Sequence, residues 1–157
     1  MSTRAARPAQ RQDAAAIVAL WTALVEEHAA LDPAFALRPG ATAELAPVVE
    51  RLLRDPDAGL WVVDGPDGIA GFCAARRETA PPAAAERARV EITELVVAPR
   101  ARRQGNGRAL VAAALAWAAA RGVRRVEVRV AARNAAGQAF WRALGFADFV
   151  DVLDRRL

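Results

Sequence analysis

Apolar residues recur along this chain at two periods, and the switches between them mark out its elements. After a short strand in TRAARPA, the residues Ile17, Leu20, Trp21, Leu24 and Val25 fall three and four apart, which predicts an amphipathic helix with Asp13 as its N-cap. The Pro- and Gly-rich loop DPAFALRPGAT leads to a second helix, roughly Ala43 to Arg54. GLWVVDGPDGIAGFCAARRE is two apolar runs around Asp-Gly-Pro-Asp-Gly, the pattern of a hairpin. Past the link PPAAAERA, RVEITELVV reads as a strand, followed by a turn rich in arginine and a helix running to Arg121, with Gly122 as its stop. In VRRVEVRV the residues Val126, Val128 and Val130 alternate onto one face of a further strand. NAAGQAFWRALGF is a short helix between Asn134 at its N-cap and Gly145 past its end, and ADFVDVLDRRL reads as a last strand. The order βααβββαβαβ predicts an α/β fold, a mixed sheet covered by helices.

Composition narrows the classes. A chain of 157 residues, 54% of them apolar, suits one compact domain over 1–157 with a substantial core. No uninterrupted apolar run reaches the roughly 18 residues of a membrane span, and MSTRAARPAQRQD has no apolar leader core, so the expectation is a cytoplasmic protein with no membrane partner. With Cys73 and His28 as the sole residues of their types, neither a disulfide framework nor a metal site is expected.

Charge is unevenly placed. Residues 1–60 carry six arginines against eight acids, whereas 99–133 carry nine arginines against Glu127 alone. A local basic block of that kind suits phosphate, in a nucleotide or a nucleic acid. Its centre, Arg102-Arg103-Gln104-Gly105-Asn106-Gly107, follows a strand and opens a helix. A dinucleotide fingerprint would need Gly or Ala where Leu110 stands, and a P-loop would need Gly-Lys-Ser/Thr, so both are excluded. What remains is R-x-x-G-x-G, a turn whose backbone N–H groups and helix dipole can cradle pyrophosphate, with the arginines adding charge.

Two blocks resemble the GNAT superfamily of N-acetyltransferases, which move an acetyl group from acetyl-CoA to an amine. EITELVVAPRARRQGNGRAL is similar to the family's strand with its Val-x-Pro end and R-x-x-G-x-G/A loop, and NAAGQAFWRALGF to its Asn-centred helix closing in Gly-Phe. The resemblance implies a mixed, mostly antiparallel central sheet of six or seven strands flanked by about four helices, splayed beside the CoA site. It implies that the backbone of Leu95, Val96 and Val97 pairs with the pantetheine arm, and that the Val97 N–H faces the thioester oxygen as charge develops there. Arg102, Arg103, Gln104, Gly105, Asn106 and Gly107, with Arg108, would hold the pyrophosphate, and Asn134 would bond the pantetheine. Phe140 and Trp141 would pack near it.

The attacking amine must lose a proton, and the family often places a carboxylate for this six residues before the position of Val97, where Glu91 stands. Strict alternation puts Glu91 on one face with Thr93, Leu95 and Val97, and Glu94 on the other with Val90, Ile92 and Val96. This favours Glu91 as base, while a bulge in the strand would promote Glu94. Where the family commonly has a tyrosine to protonate the leaving thiolate, this chain has Trp141, and it contains no tyrosine. The expected partners are a small-molecule or protein amine and acetyl-CoA, with a homodimer left open and no nucleic acid. Two rivals stand beside this reading. One is a non-catalytic acyl-CoA-binding module; the other is a nucleic-acid-binding domain, disfavoured because no aromatic residue lies between Pro99 and Asn106 to stack on bases.

Overall fold

The computed structural model describes residues 5–157. Thr3 and Arg4 of the expected first strand lie outside the described residues. Five strands form one sheet in the order β1-β2-β3-β4-β5: β1 Arg7–Pro8, β2 Ala58–Gly65, β3 Gly68–Thr79, β4 Ala88–Val97 and β5 Val126–Val128. The first four are antiparallel neighbours, and β5 lies parallel to β4. The helices are α1 Ala14–Leu31, α2 Leu45–Leu52, α3 Asn106–Ala120 and α4 Ala135–Ala143.

Central strands covered on both faces should read as continuous apolar runs, and Leu60 to Val63 and Ala70 to Ala75 do. Alternation then divides them between two cores. Leu60, Val62, Phe72 and Ala74 meet Ile17, Val49 and Leu52 under α1 and α2. Trp61, Val63, Cys73 and Ala75 meet Leu110, Val111, Ala114 and Trp141 under α3 and α4. Each large side chain so buried contributes roughly 1.5–3 kcal/mol. The stretch Arg11–Leu31 is long and apolar enough to cross a bilayer. Here Ile17, Val18, Leu20, Trp21 and Leu24 instead pack on the sheet and α2, with the Trp21 ring 5.9 Å from that of Phe72.

Three expectations are corrected. Six or seven strands were expected, and five form among the described residues. Residues 147–157, expected as the last strand, have no regular structure, and Phe149, Val150, Val152 and Leu153 are largely exposed. Alternation alone does not make a strand without a ladder to join. This segment is held by side chains, Phe149 against the Arg125 guanidinium at 4.9 Å and Arg156 with Asp32 at 3.7 Å.

Asp13 is the third correction. It gives α1 no side-chain cap, because it ends the 3-10 turn Arg11–Asp13 and its carboxylate accepts from the Gln10 N–H at 2.8 Å and from Arg7 at 2.8 and 3.2 Å. Arg7 also reaches Asp64 at 2.8 and 2.9 Å, so one guanidinium joins β1, the start of α1 and the bulged end of β2. The Arg7 hydrogen bonds hold the buried Asp13 carboxyl below its ordinary range, against the opposing effect of burial.

A group whose folded pKa is depressed stabilises fully above its unfolded pKa and loses that contribution as pH falls through the folded value. Asp13→Asn therefore costs roughly 2 kcal/mol at neutral pH. In urea titrations the gap between wild type and variant closes as pH drops below about 4, the unfolded aspartate pKa.

Candidate functional site

The pairing of β4 with β5 covers three residues only, Val90↔Val126, Glu91↔Glu127 and Ile92↔Val128. From Thr93 to Val97 β4 runs on without a β5 partner, so a gap opens between the two strands on that side. At the same point β4 carries a bulge: Ala75 pairs with Ile92 and Ala74 with Glu94, leaving Thr93 as the extra residue. A bulge bends its strand and raises the local twist, which turns the end of β4 away from β5.

The bulge also overturns the expected parity. Val90, Ile92, Leu95 and Val97 lie toward α3 and α4, and Val96 packs into the core under α1 and α2. Glu94 pairs with Ala74 of that second core, so Glu91 and Glu94 share one face instead of opposing faces. Glu91 pairs with Arg129 at 3.2 Å across the mouth of the gap. Glu94 is half-buried and accepts from the Thr93 hydroxyl. Burial pushes the Glu94 carboxyl above the usual range, the Thr93 bond pulls it back, and the charge of Glu91 pushes it up.

Backbone direction follows from the antiparallel ladder. The Ala98 N–H donates to the Ala70 carbonyl at 2.8 Å, so alternate residues turn away from β3: Val96 faces β3, and Leu95 and Val97 face the gap. In agreement, the Val97 carbonyl accepts from Arg102 Nε at 3.0 Å. Of the three residues expected to offer backbone contacts, Leu95 and Val97 turn theirs to the gap and Val96 turns its own to β3.

Past Val97 the chain makes a 3-10 turn, Pro99–Ala101, and then the arginine turn. Arg103 at φ 62° and Gly105 at φ 81° are both left-handed, and a Cβ on Gly105 would meet open space. Gly105 is the N-cap of α3 and supplies no side chain, so the helix presents its first N–H groups uncapped. Within the turn the Asn106 side chain points inward. It is buried, and its amide donates to the Ala101 carbonyl at 2.9 Å, which closes the turn from within. Gln104 likewise braces the turn, donating to the Arg100 carbonyl at 3.0 Å.

The arginines differ in their surroundings. Arg103 and Arg108 are exposed and form no ion pair among the described residues. Arg102 donates through Nη2 to both oxygens of Glu27 on α1, at 2.8 and 3.0 Å. Glu27 was not expected at the site. It stands 75 positions from Arg102, and no local spacing marks it.

On the far side of the gap Asn134 caps α4, its Oδ1 accepting from the Gly137 N–H at 2.9 Å. The Phe140 ring presses on Gly107, where a Cβ would lie 3.2 Å from the ring and 3.8 Å from the Val97 side chain. Gly107 thus brings β4, α3 and α4 together at the turn. Trp141 is buried in the core, edge-on to Phe140 at 5.2 Å and Phe146 at 5.1 Å, so it supports the wall without lining it.

An open-sided strand leading to an uncapped, arginine-flanked helix N-terminus suits an extended ligand that has a hydrogen-bonding arm at one end and phosphate at the other. A family model described as Acetyltransferase (GNAT) family matches residues 19–146. Among curated proteins no sequence matches. The fold is similar to that of the tetramutant of the BH1408 protein from Bacillus halodurans, at 21% identity over 97% of this chain and 99% of that one, TM-score 0.87. It is similar to a predicted acetyltransferase with acetyl-CoA from Clostridium acetobutylicum, at 16% identity over 96% and 94%, TM-score 0.75. It is also similar to the aminoglycoside N-acetyltransferase AAC(6')-Iy in complex with CoA, at 19% identity over 97% and 93%, TM-score 0.73.

Because Asn106 holds the turn closed, Asn106→Ala leaves the Ala101 carbonyl without its donor and costs roughly 1–3 kcal/mol. Asn106→Asp, which sets an acceptor against that carbonyl, costs at least as much. Thermal denaturation of the two variants checks both, and wild-type melting in either would remove Asn106 from this role.

Proposed function

This chain belongs to the acetyltransferase (GNAT) family, and from that membership we propose that it is an N-acetyltransferase moving an acetyl group from acetyl-CoA to a primary amine by direct attack. The observation that carries the proposal is the parting of β4 from β5 after Ile92, with the arginine turn at the end of the freed strand. The fit is chemical as well as spatial. Leu95 offers a backbone donor and acceptor and Val97 a donor to an amide-bearing pantetheine arm, and the N–H groups opening α3, with Arg102, Arg103 and Arg108, suit a pyrophosphate. Asn134 Nδ2 is a further donor on the opposite wall. Acetyl-CoA supplies the activated acyl group as a thioester.

The protein's own part is to hold the two reactants together, free the amine of its proton and stabilise charge. The Val97 N–H is a fixed dipole for the negative charge that develops on the thioester oxygen. We assign the base to Glu94. A half-buried carboxyl with a raised pKa is a better proton acceptor than an ordinary one, and Glu91 is engaged in an ion pair with Arg129. Direct attack is supported by the state of Cys73, whose thiol is buried and pushed up by that burial, away from nucleophilic use. Trp141 carries no acidic proton to lend, and a thiol of pKa about 8.5 can leave unassisted.

The decisive experiment is thiol release from acetyl-CoA across a panel of primary amines. Release above the amine-free rate for one member is the expected result; no acceleration by any amine would favour an acyl-CoA-binding module without catalysis.

The base assignment has its own outcome in the pH profile. With Glu94 as base, kcat/KM rises with pH through a limb above the ordinary glutamate value of about 4.3. Glu94→Gln removes that limb and lowers kcat/KM roughly 10²-fold, with the loss shrinking as pH approaches the pKa of the amine. Glu91→Gln retains most activity and moves the limb to lower pH, because a like charge beside Glu94 is gone. If the large loss follows Glu91→Gln alone, the role belongs to Glu91.

A further inference from the structure

The contact between Arg102 and Glu27 has no part in the chemistry above, yet it engages a guanidinium assigned to phosphate. Both Glu27 oxygens accept from Arg102 Nη2, while Nε is held by the Val97 carbonyl at the end of β4. The arginine is therefore aimed by the strand and loaded by the helix. A carboxylate and a pyrophosphate oxygen are alternative anionic acceptors for the same N–H groups.

We propose that Glu27 competes with the cofactor's pyrophosphate for Arg102, and so sets the affinity and release of the cofactor from within the chain. The inference rests on the acetyl-CoA reading of the site. Arg102 and Glu27 are each about half exposed, at 47% and 49%. Ion pairs at such exposure are weak and screened, so the carboxylate is displaced at small cost and tunes binding without blocking it. The end of α1 does not depend on this pair. Five residues on, Asp32 reaches Arg133 at 3.4 Å, just ahead of Asn134, and Arg156 at 3.7 Å. Glu27 can thus let go while Asp32 keeps α1 against the β5 side of the gap. Release of Arg102 by the departing product would be assisted by the same carboxylate returning.

Calorimetric titration of CoA into five proteins, wild type, Glu27→Gln, Glu26→Gln, Arg102→Gln and the Arg102→Gln/Glu27→Gln pair, tests this. Glu27→Gln binds CoA about 2- to 5-fold tighter than wild type, the range expected for removing an exposed competitor. Glu26→Gln makes the same change of charge on the neighbouring exposed residue, which pairs with no arginine among the described residues, and leaves the affinity within about 1.5-fold. In an Arg102→Gln background, Glu27→Gln gains nothing, because the group competed for is gone. Equal effects of Glu27→Gln and Glu26→Gln, or a gain that persists without Arg102, would overturn the competition and leave the cofactor assignment standing. A wild-type protein that takes up no CoA would instead overturn the cofactor assignment itself.

Discussion

Beyond Ile92 the backbone of β4 has a sheet partner on one side only, and the extra residue at Thr93 is the physical cause. A parallel ladder needs both strands to keep the same twist, and a bulge breaks that agreement by bending one of them. Three consequences follow from the single residue. The β4–β5 ladder ends, so a gap opens whose wall is the free backbone of Leu95 and Val97. The side-chain alternation is reset, so Glu94 joins Glu91 on one face. The two carboxylates then act on each other, and the more buried one, Glu94, is driven toward its protonated form. Site geometry and site chemistry both descend from one inserted position.

The arginine turn is governed by a different economy of hydrogen bonds. A helix N-terminus in a folded protein is ordinarily capped, and α3 starts on a residue that cannot do it. The turn stays ordered because its bonds are made inward, from Asn106 to Ala101 and from Gln104 to Arg100. The outward N–H groups are left for something else. Gly105 supplies the left-handed backbone, and Gly107 the room for Phe140, so the two glycines of the motif serve different ends. Asn134 also divides its functions: Oδ1 caps α4 and Nδ2 remains available.

What could be seen from residue order was mostly local. The glycine turn opening α3, the stops at Gly122 and Gly145, the cap at Asn134 and the hairpin around Pro66 all rest on contacts a few residues apart, and each is where periodicity and turn chemistry put it. The features that were missed need long-range information. The pair Arg102–Glu27 joins positions 75 apart. The bulge at Thr93 was visible only as an anomaly, a carboxylate at Glu94 where strict alternation called for an apolar residue. That anomaly marked the place without deciding between strict alternation and a bulge. The expected last strand failed for a related reason: residues 147–157 have an alternating pattern but no ladder, and pattern is a condition for a strand, not a cause of one.

Trp141 shows how packing limits chemistry at this site. The indole is enclosed by Phe140 and Phe146, and Phe140 in turn leans on Gly107 and toward Val97. The aromatic cluster fixes how closely α4 approaches the arginine turn. An indole at this position has no acidic proton to give to a leaving thiolate, so in the proposed reaction the thiolate departs unassisted. In the reaction proposed above the burden would then shift to its other half: with departure of the thiolate unassisted, the rate would depend on how effectively the amine is deprotonated and how firmly the developing oxyanion is held, the tasks that the proposal assigns to Glu94 and the Val97 N–H.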